Sequence, residues 1–119
     1  VNILIVDDYP VSIRVLSHTL RKAGYTVHPA ASAAEALDLF ATTAFDLAIL
    51  DIALPEMDGI ELLKVIRREP RWRDLPVIML TASGHDADRI AAKAAGVDAF
   101  LTKPTSSADL LDVVTRLTA

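Results

Sequence analysis

Val1-Asn2-Ile3-Leu4-Ile5-Val6-Asp7-Asp8 opens the chain, an almost unbroken aliphatic run that stops at two acids. A run apolar at nearly every position, not at every second one, marks a strand buried on both faces. Such strands belong to parallel sheets wrapped by helices. The same device returns further on: Leu47-Ala48-Ile49-Leu50 ends at Asp51, Val77-Ile78-Met79-Leu80 ends at Thr81, and Ala99-Phe100-Leu101 leads to Lys103-Pro104. A short run from Tyr25 to His28 supplies one more strand.

Between the strands the apolar period changes from continuous to helical. Pro10 suits a first helical turn, Ile13, Leu16 and Leu20 follow at helical spacing, and Gly24 ends the segment. Ser32 with Glu35 is a capping-box pair ahead of Ala36, Leu37 and Phe40. A third helix starts near Asp58 and turns Ile60, Leu63, Val65 and Ile66 inward. An alanine-rich fourth runs from about Asp86 to Ala95 and stops at Gly96. The last begins near Ser106, with Asp109 as its start signal and Leu110, Leu111, Val113, Val114 and Leu117 as its apolar positions. Five strands alternating with five helices predict an α/β fold, a parallel sheet with helices on both faces.

The 119 residues, with 52% hydrophobic and 24% charged, suit a single folded domain over 1–119. A net charge of −4 argues against direct nucleic-acid binding, which usually leaves a basic footprint. No cysteine is present, which excludes disulfides, thiolate nucleophiles and Cys-ligated zinc. No apolar run reaches the roughly 18–20 residues of a membrane span, so no membrane insertion is expected. The chain starts at Val1 without methionine, which points to a piece of something longer. Its expected location is cytoplasmic, including as the cytoplasmic part of a larger, membrane-attached protein.

The polar residues that close the strands carry the chemistry. In an open parallel sheet the carboxyl ends of the strands share one edge, where ligands bind. Asp7, Asp8, Asp51, Thr81 and Lys103 from four strand ends therefore converge. Core packing explains none of them, because Asp and Lys are rarely buried without a partner. Crowded carboxylates repel one another, and a divalent cation relieves that. Oxygen ligands with no His or Cys in reach favour Mg²⁺, which takes one or two carboxylates plus a phosphate oxygen. Lys103 adds a mobile positive charge and Thr81 a hydroxyl. That set suits a phosphoryl group, and a carboxylate can be the nucleophile that receives it. Asp51 lies between the acid pair and the Thr81–Lys103 pair, which makes it the candidate.

Ile5-Val6-Asp7-Asp8, Leu50-Asp51 with Leu54-Pro55-Glu56-Met57-Asp58-Gly59, Leu80-Thr81-Ala82 and Lys103-Pro104, in this order, resemble the receiver domain of two-component response regulators over essentially the whole chain. The resemblance implies a flavodoxin-like (βα)5 three-layer sandwich with strand order 2-1-3-4-5. It implies that Asp51 takes a phosphoryl group from phosphohistidine, with Mg²⁺ held by Asp7, Asp8, Asp51 and the backbone carbonyl of Ala53. Thr81 would then contact the phosphoryl group and Lys103 pair with it, after a cis Lys103-Pro104 bond. Phe100 stands at the switch-aromatic position, coupled to inward movement of Thr81. The implied partners are a histidine kinase or histidine phosphotransfer domain, and an output domain or protein on the face of the fourth helix, fifth strand and fifth helix. Val6-Asp7-Asp8-Tyr9-Pro10 is similar to receivers attached to hybrid sensor kinases. Ala53 and Ser83 hold the two positions that tune dephosphorylation, and neither carries an acid or amide to orient a water. Slow or middling self-dephosphorylation is therefore expected.

Plainer readings compete. Asp7 and Asp8 alone could cap a helix, Thr81 alone could simply end a strand, and Phe100 is most simply a core aromatic. Asp58 reads as a helix cap. His18, His28 and His85 have no metal-ligand spacing. Arg67, Arg68, Arg71 and Arg73 around Trp72 read as a solvated loop rather than a partner site. Two other functions use the same residues: a phosphorylation-independent interaction domain, and an aspartyl-phosphate phosphohydrolase. The hydrolase would need a second acid where Ala53 stands and a cap for which the chain has no length. The reading reached is a self-phosphorylating switch, not a turnover enzyme.

Overall fold

Alternation along the central strands sets the architecture. The computed structural model describes residues 1–82 and 84–119. It contains β1 (Asn2–Val6), α1 (Pro10–Lys22), β2 (Thr26–Ala30), α2 (Ala33–Phe40), β3 (Leu47–Leu50), α3 (Gly59–Arg68), β4 (Val77–Thr81), α4 (Asp86–Ala94), β5 (Ala99–Thr102) and α5 (Ser107–Thr118). The strands form one parallel sheet in the order β2-β1-β3-β4-β5. Successive side chains of a strand point to opposite faces. Leu4, Val6, Ala48, Leu50, Val77 and Met79 therefore join a core with residues of α2 and α3. Ile3, Ile5, Leu47, Ile49, Ile78 and Leu80 join a second core with Leu16 and Leu20 of α1 and Leu110 and Val114 of α5. The result is the three-layer, flavodoxin-like sandwich expected from the sequence.

Local signals place the helices. Ser32 Oγ accepts the Glu35 amide at 3.2 Å while Glu35 Oε2 accepts the Ala31 amide at 3.0 Å. Asp58 and Ser106 cap α3 and α5 by accepting the amides three residues on. Gly24 and Gly96 follow α1 and α4 with φ of +99° and +95°, a region that favours glycine.

Three expectations need correction. β2 runs to Ala30 through Pro29, because it is an edge strand paired only with β1 and can do without one amide. On α3 the buried residue is Leu62, not Val65, which is half-buried. Arg67 is no solvated loop residue. Its guanidinium donates to the carbonyls of Leu75, Arg73 and Gly96 and pairs with Asp98 at 2.9 Å, tying the end of α3 to the turns that lead into β4 and β5. Beside it, Trp72 stacks on Phe40 with ring centroids 4.4 Å apart.

Candidate functional site

The register of the sheet brings the acids together. Val6 pairs with Leu50 across β1 and β3, so Asp7 and Asp51, the next residues, leave the sheet side by side. The Asp51 amide still donates to the Val6 carbonyl at 2.9 Å. On the far side Thr81 pairs with Thr102 across β4 and β5, and the Lys103 amide donates to the Thr81 carbonyl at 2.8 Å. That bond starts Lys103 back across the edge. The Lys103–Pro104 peptide bond is cis.

The Lys103 ammonium bridges the two carboxylates, at 2.6 Å from Asp7 Oδ2 and 2.9 Å from Asp51 Oδ2. Both acid side chains are buried, 3% and 9% exposed, and Lys103 is 22% exposed. Burial by itself pushes the Lys103 ammonium down. The hydrogen bonds and charges of Asp7 and Asp51 outweigh it and raise it above its ordinary 10.5. The second oxygens are also engaged: Asp7 Oδ1 accepts the Tyr9 amide at 2.9 Å, and Asp51 Oδ1 accepts the Ala53 amide at 3.1 Å. Asp7 thus steadies the turn into α1 and faces the site at once.

The other expected residues are placed less uniformly. Thr81 is buried at the end of β4, one step further along its strand than Asp51 is on β3. Asp8 is exposed at the rim, on a groove that runs along α1. Ala53 is exposed in the β3–α3 connection. Phe100 is half-buried against the core shared with α3, and the Arg89 guanidinium lies 4.7 Å from its ring centre. Ser83 lies outside the described residues. Sequence reasoning missed Ser12, whose Oγ accepts from Lys103 Nζ at 3.1 Å. It missed the reach of Gly59 too, where an added Cβ would stand 2.0 Å from the Asp51 carbonyl oxygen.

Asp7 and Asp51 present hard oxygens to one shared point, already occupied by a positive charge. Among the described residues no three His, Cys, Asp or Glu side chains are gathered as a closed metal cage. Two convergent carboxylates with an open side nevertheless fit Mg²⁺, which keeps several waters and binds one or two carboxylates plus phosphate.

Comparison with known proteins points one way. The profile of the response regulator receiver domain matches residues 3–115. The DNA-binding dual master transcriptional regulator RpaA of Synechocystis is 38% identical over 115 residues, 97% of this chain and 48% of that protein. The chain spans about half the length of that relative. The signal receiver domain of a signal transduction histidine kinase from Syntrophus aciditrophicus is 36% identical with a TM-score of 0.92, covering 98% of this chain and 89% of that one. TrrA of Thermotoga maritima, solved in complex with Mg²⁺–BeF, is 33% identical with a TM-score of 0.87, covering 98% and 97%.

Proposed function

The chain belongs to the receiver domain family of two-component response regulators, and from that premise we propose that Asp51 is its phosphoacceptor and that phosphorylation there switches partner binding. The observation that carries this is the bridge of Lys103 between buried Asp7 and Asp51 at the carboxyl edge of the sheet. An Asp51 oxygen attacks phosphorus, the new O–P bond forms as the N–P bond of a phosphohistidine breaks, and imidazole leaves. The Ala53 amide and Lys103 hold the attacking carboxylate on its two oxygens. Receiver domains bind Mg²⁺, and here Asp7 and Asp51, with Asp8 and the Ala53 carbonyl, would hold it. Bound there, it would supply positive charge to offset the carboxylates and an incoming phosphoryl group.

Residues 1–119 act as one receiver domain in this reading, on the cytoplasmic side of any membrane. Among the described residues no helix is long and apolar enough to cross one. The donor is a histidine kinase or phosphotransfer domain. Exposed Val11 and Val15 line a groove with Lys103, Pro104 and Thr105, an apolar seat that shares with the site the lysine bonded to Asp51. The output surface is α4, β5 and α5: α4 buries only Ala92, leaves Ile90 69% exposed, and adjoins half-buried β5. Phosphorylation draws Thr81 inward and Phe100 with it, which reshapes that surface. The Val6-Asp7-Asp8-Tyr9-Pro10 start favours a receiver within a hybrid kinase.

Beryllium fluoride, a phosphoryl mimic, tests the reading. With Mg²⁺ it should raise the melting temperature of the wild type and leave Asp51→Asn unmoved; equal shifts in both would contradict it. Dephosphorylation is slow or middling because neither Ala53 nor Ser83 carries an acid or amide to orient a water, and an adduct lasting only seconds at neutral pH would refute that part.

A further inference from the structure

An ammonium has three N–H bonds and no lone pair, so a fully directed lysine needs three acceptors. Lys103 has them: Asp7 Oδ2 at 2.6 Å, Asp51 Oδ2 at 2.9 Å and Ser12 Oγ at 3.1 Å. The first two stand at the ends of β1 and β3. The third comes from the first turn of α1, outside the sheet.

We propose that Ser12 is a positioning residue that fixes the Lys103 ammonium for phosphoryl transfer to Asp51, an inference that rests on the reading of Asp51 as phosphoacceptor. Lysine is a compact charge on a flexible four-carbon stem, and two carboxylate acceptors at the sheet edge leave the ammonium room to shift between them. Ser12 supplies a third acceptor, from α1, that limits that shift. It lines a groove together with Val11, Val15, Leu80, Lys103 and Pro104. The ammonium is thereby held toward the groove as well as toward the carboxylates. This matters most during transfer. When phosphorus bonds to Asp51, the oxygen charge that Lys103 must neutralise moves outward onto the phosphoryl group. A lysine anchored by Ser12 is already aimed there, whereas one held by the carboxylates alone must swing out. Positioning of this kind acts on the transition state more than on donor binding.

The substitution is gentle, since alanine is the better helix former and Ser12 is only half-buried. The test compares wild type, Ser12→Ala and Ser12→Thr with acetyl phosphate and Mg²⁺, following phosphoryl gain by intact mass as acetate leaves. Ser12→Ala should phosphorylate roughly tenfold more slowly at saturating donor, with little change in the half-saturating concentration. Ser12→Thr, which keeps the hydroxyl, should return to within about twofold of wild type. Equal maximal rates for wild type and Ser12→Ala would overturn the proposal, as would a threonine variant as slow as alanine. A second readout needs no phosphorylation: the Lys103 ¹⁵N ammonium signal, assigned by its loss in Lys103→Met. It should be sharp in the wild type and broadened or absent in Ser12→Ala, and an unchanged signal would refute the positioning role. Should wild type take no phosphoryl group while this signal still responds to Ser12, the phosphoacceptor reading falls and the anchoring of Lys103 stands.

Discussion

Gly59 is the residue whose replacement tests most sharply how the fold builds the site. It is the first residue of α3, and its amide donates to the Ile52 carbonyl at 2.9 Å. A Cβ added there would lie 2.0 Å from the Asp51 carbonyl oxygen, 2.8 Å from the Asp51 carbonyl carbon and 3.0 Å from Ile52 Cα, where ordinary contact begins at 3.4 Å. All three neighbours are backbone, so no side chain can rotate away. Either α3 moves out or the end of β3 moves in, and both shift Asp51, the proposed phosphoacceptor. Overpacking of this severity costs about 3 kcal/mol, and the helix propensity gained by alanine returns at most ~1. A net loss of about 2 kcal/mol corresponds to a fall of roughly 8 °C in Tm for a chain of this length. Phosphorylation from acetyl phosphate should fall by ~100-fold if Asp51 shifts by even ~1 Å. Gly24→Ala is the control. Its φ of +99° imposes strain of about 1–2 kcal/mol, but nothing lies within 4 Å and the site is remote. Thermal melts and intact-mass phosphorylation on both variants separate the two effects. A Gly59→Ala protein with wild-type Tm and wild-type phosphorylation would refute the argument.

Lys103→Met leaves two buried carboxylates without their counter-charge and should lower stability by about 3 kcal/mol in urea titrations at neutral pH. Because the Lys103 value is raised in the fold, its stabilisation is complete below the ordinary 10.5 and is lost as pH climbs through the higher folded value. The stability gap between wild type and Lys103→Met should therefore narrow as pH rises past 10.5, and a gap that holds or widens contradicts the assignment. Arg67→Ala strips hydrogen bonds from the carbonyls of Leu75 and Gly96 and should cost about 2–4 kcal/mol while leaving beryllium fluoride binding intact. A loss below ~0.5 kcal/mol would mean the guanidinium is dispensable. Glu56 holds φ at 65°, so Glu56→Gly should be neutral to stabilising, by up to about 1 kcal/mol, and a clear loss would show that the Glu56 side chain is needed.

The sequence was readable where one physical rule dominated. Strands buried on both faces have to be continuous apolar runs, so β1, β3 and β4 declare themselves, and the polar residue ending each run locates the edge of the sheet. From there Asp7, Asp51, Thr81 and Lys103 follow. Pro29 defeated the strand rule because an edge strand needs only one line of hydrogen bonds, and edge status is a property of the assembled sheet. Arg67 looked like its solvated neighbours because its acceptors are carbonyls of Leu75 and Gly96, which no side-chain pattern announces. Ser12 was silent for a related reason. A serine in an amphipathic helix carries no signal, and its acceptor role exists only once the loop after β5 swings Lys103 over α1. Gly59 was visible as part of Asp58-Gly59, yet its contact with Asp51 depends on how closely α3 docks against the end of β3.

The central claim, that Asp51 is the phosphoacceptor, is tested most directly by intact mass after incubation with Mg²⁺ and acetyl phosphate, beside Asp51→Asn. The account predicts one added phosphoryl group in the wild type, dependent on Mg²⁺ and absent from the variant. An adduct that persists in Asp51→Asn, or forms equally well without Mg²⁺, would contradict it.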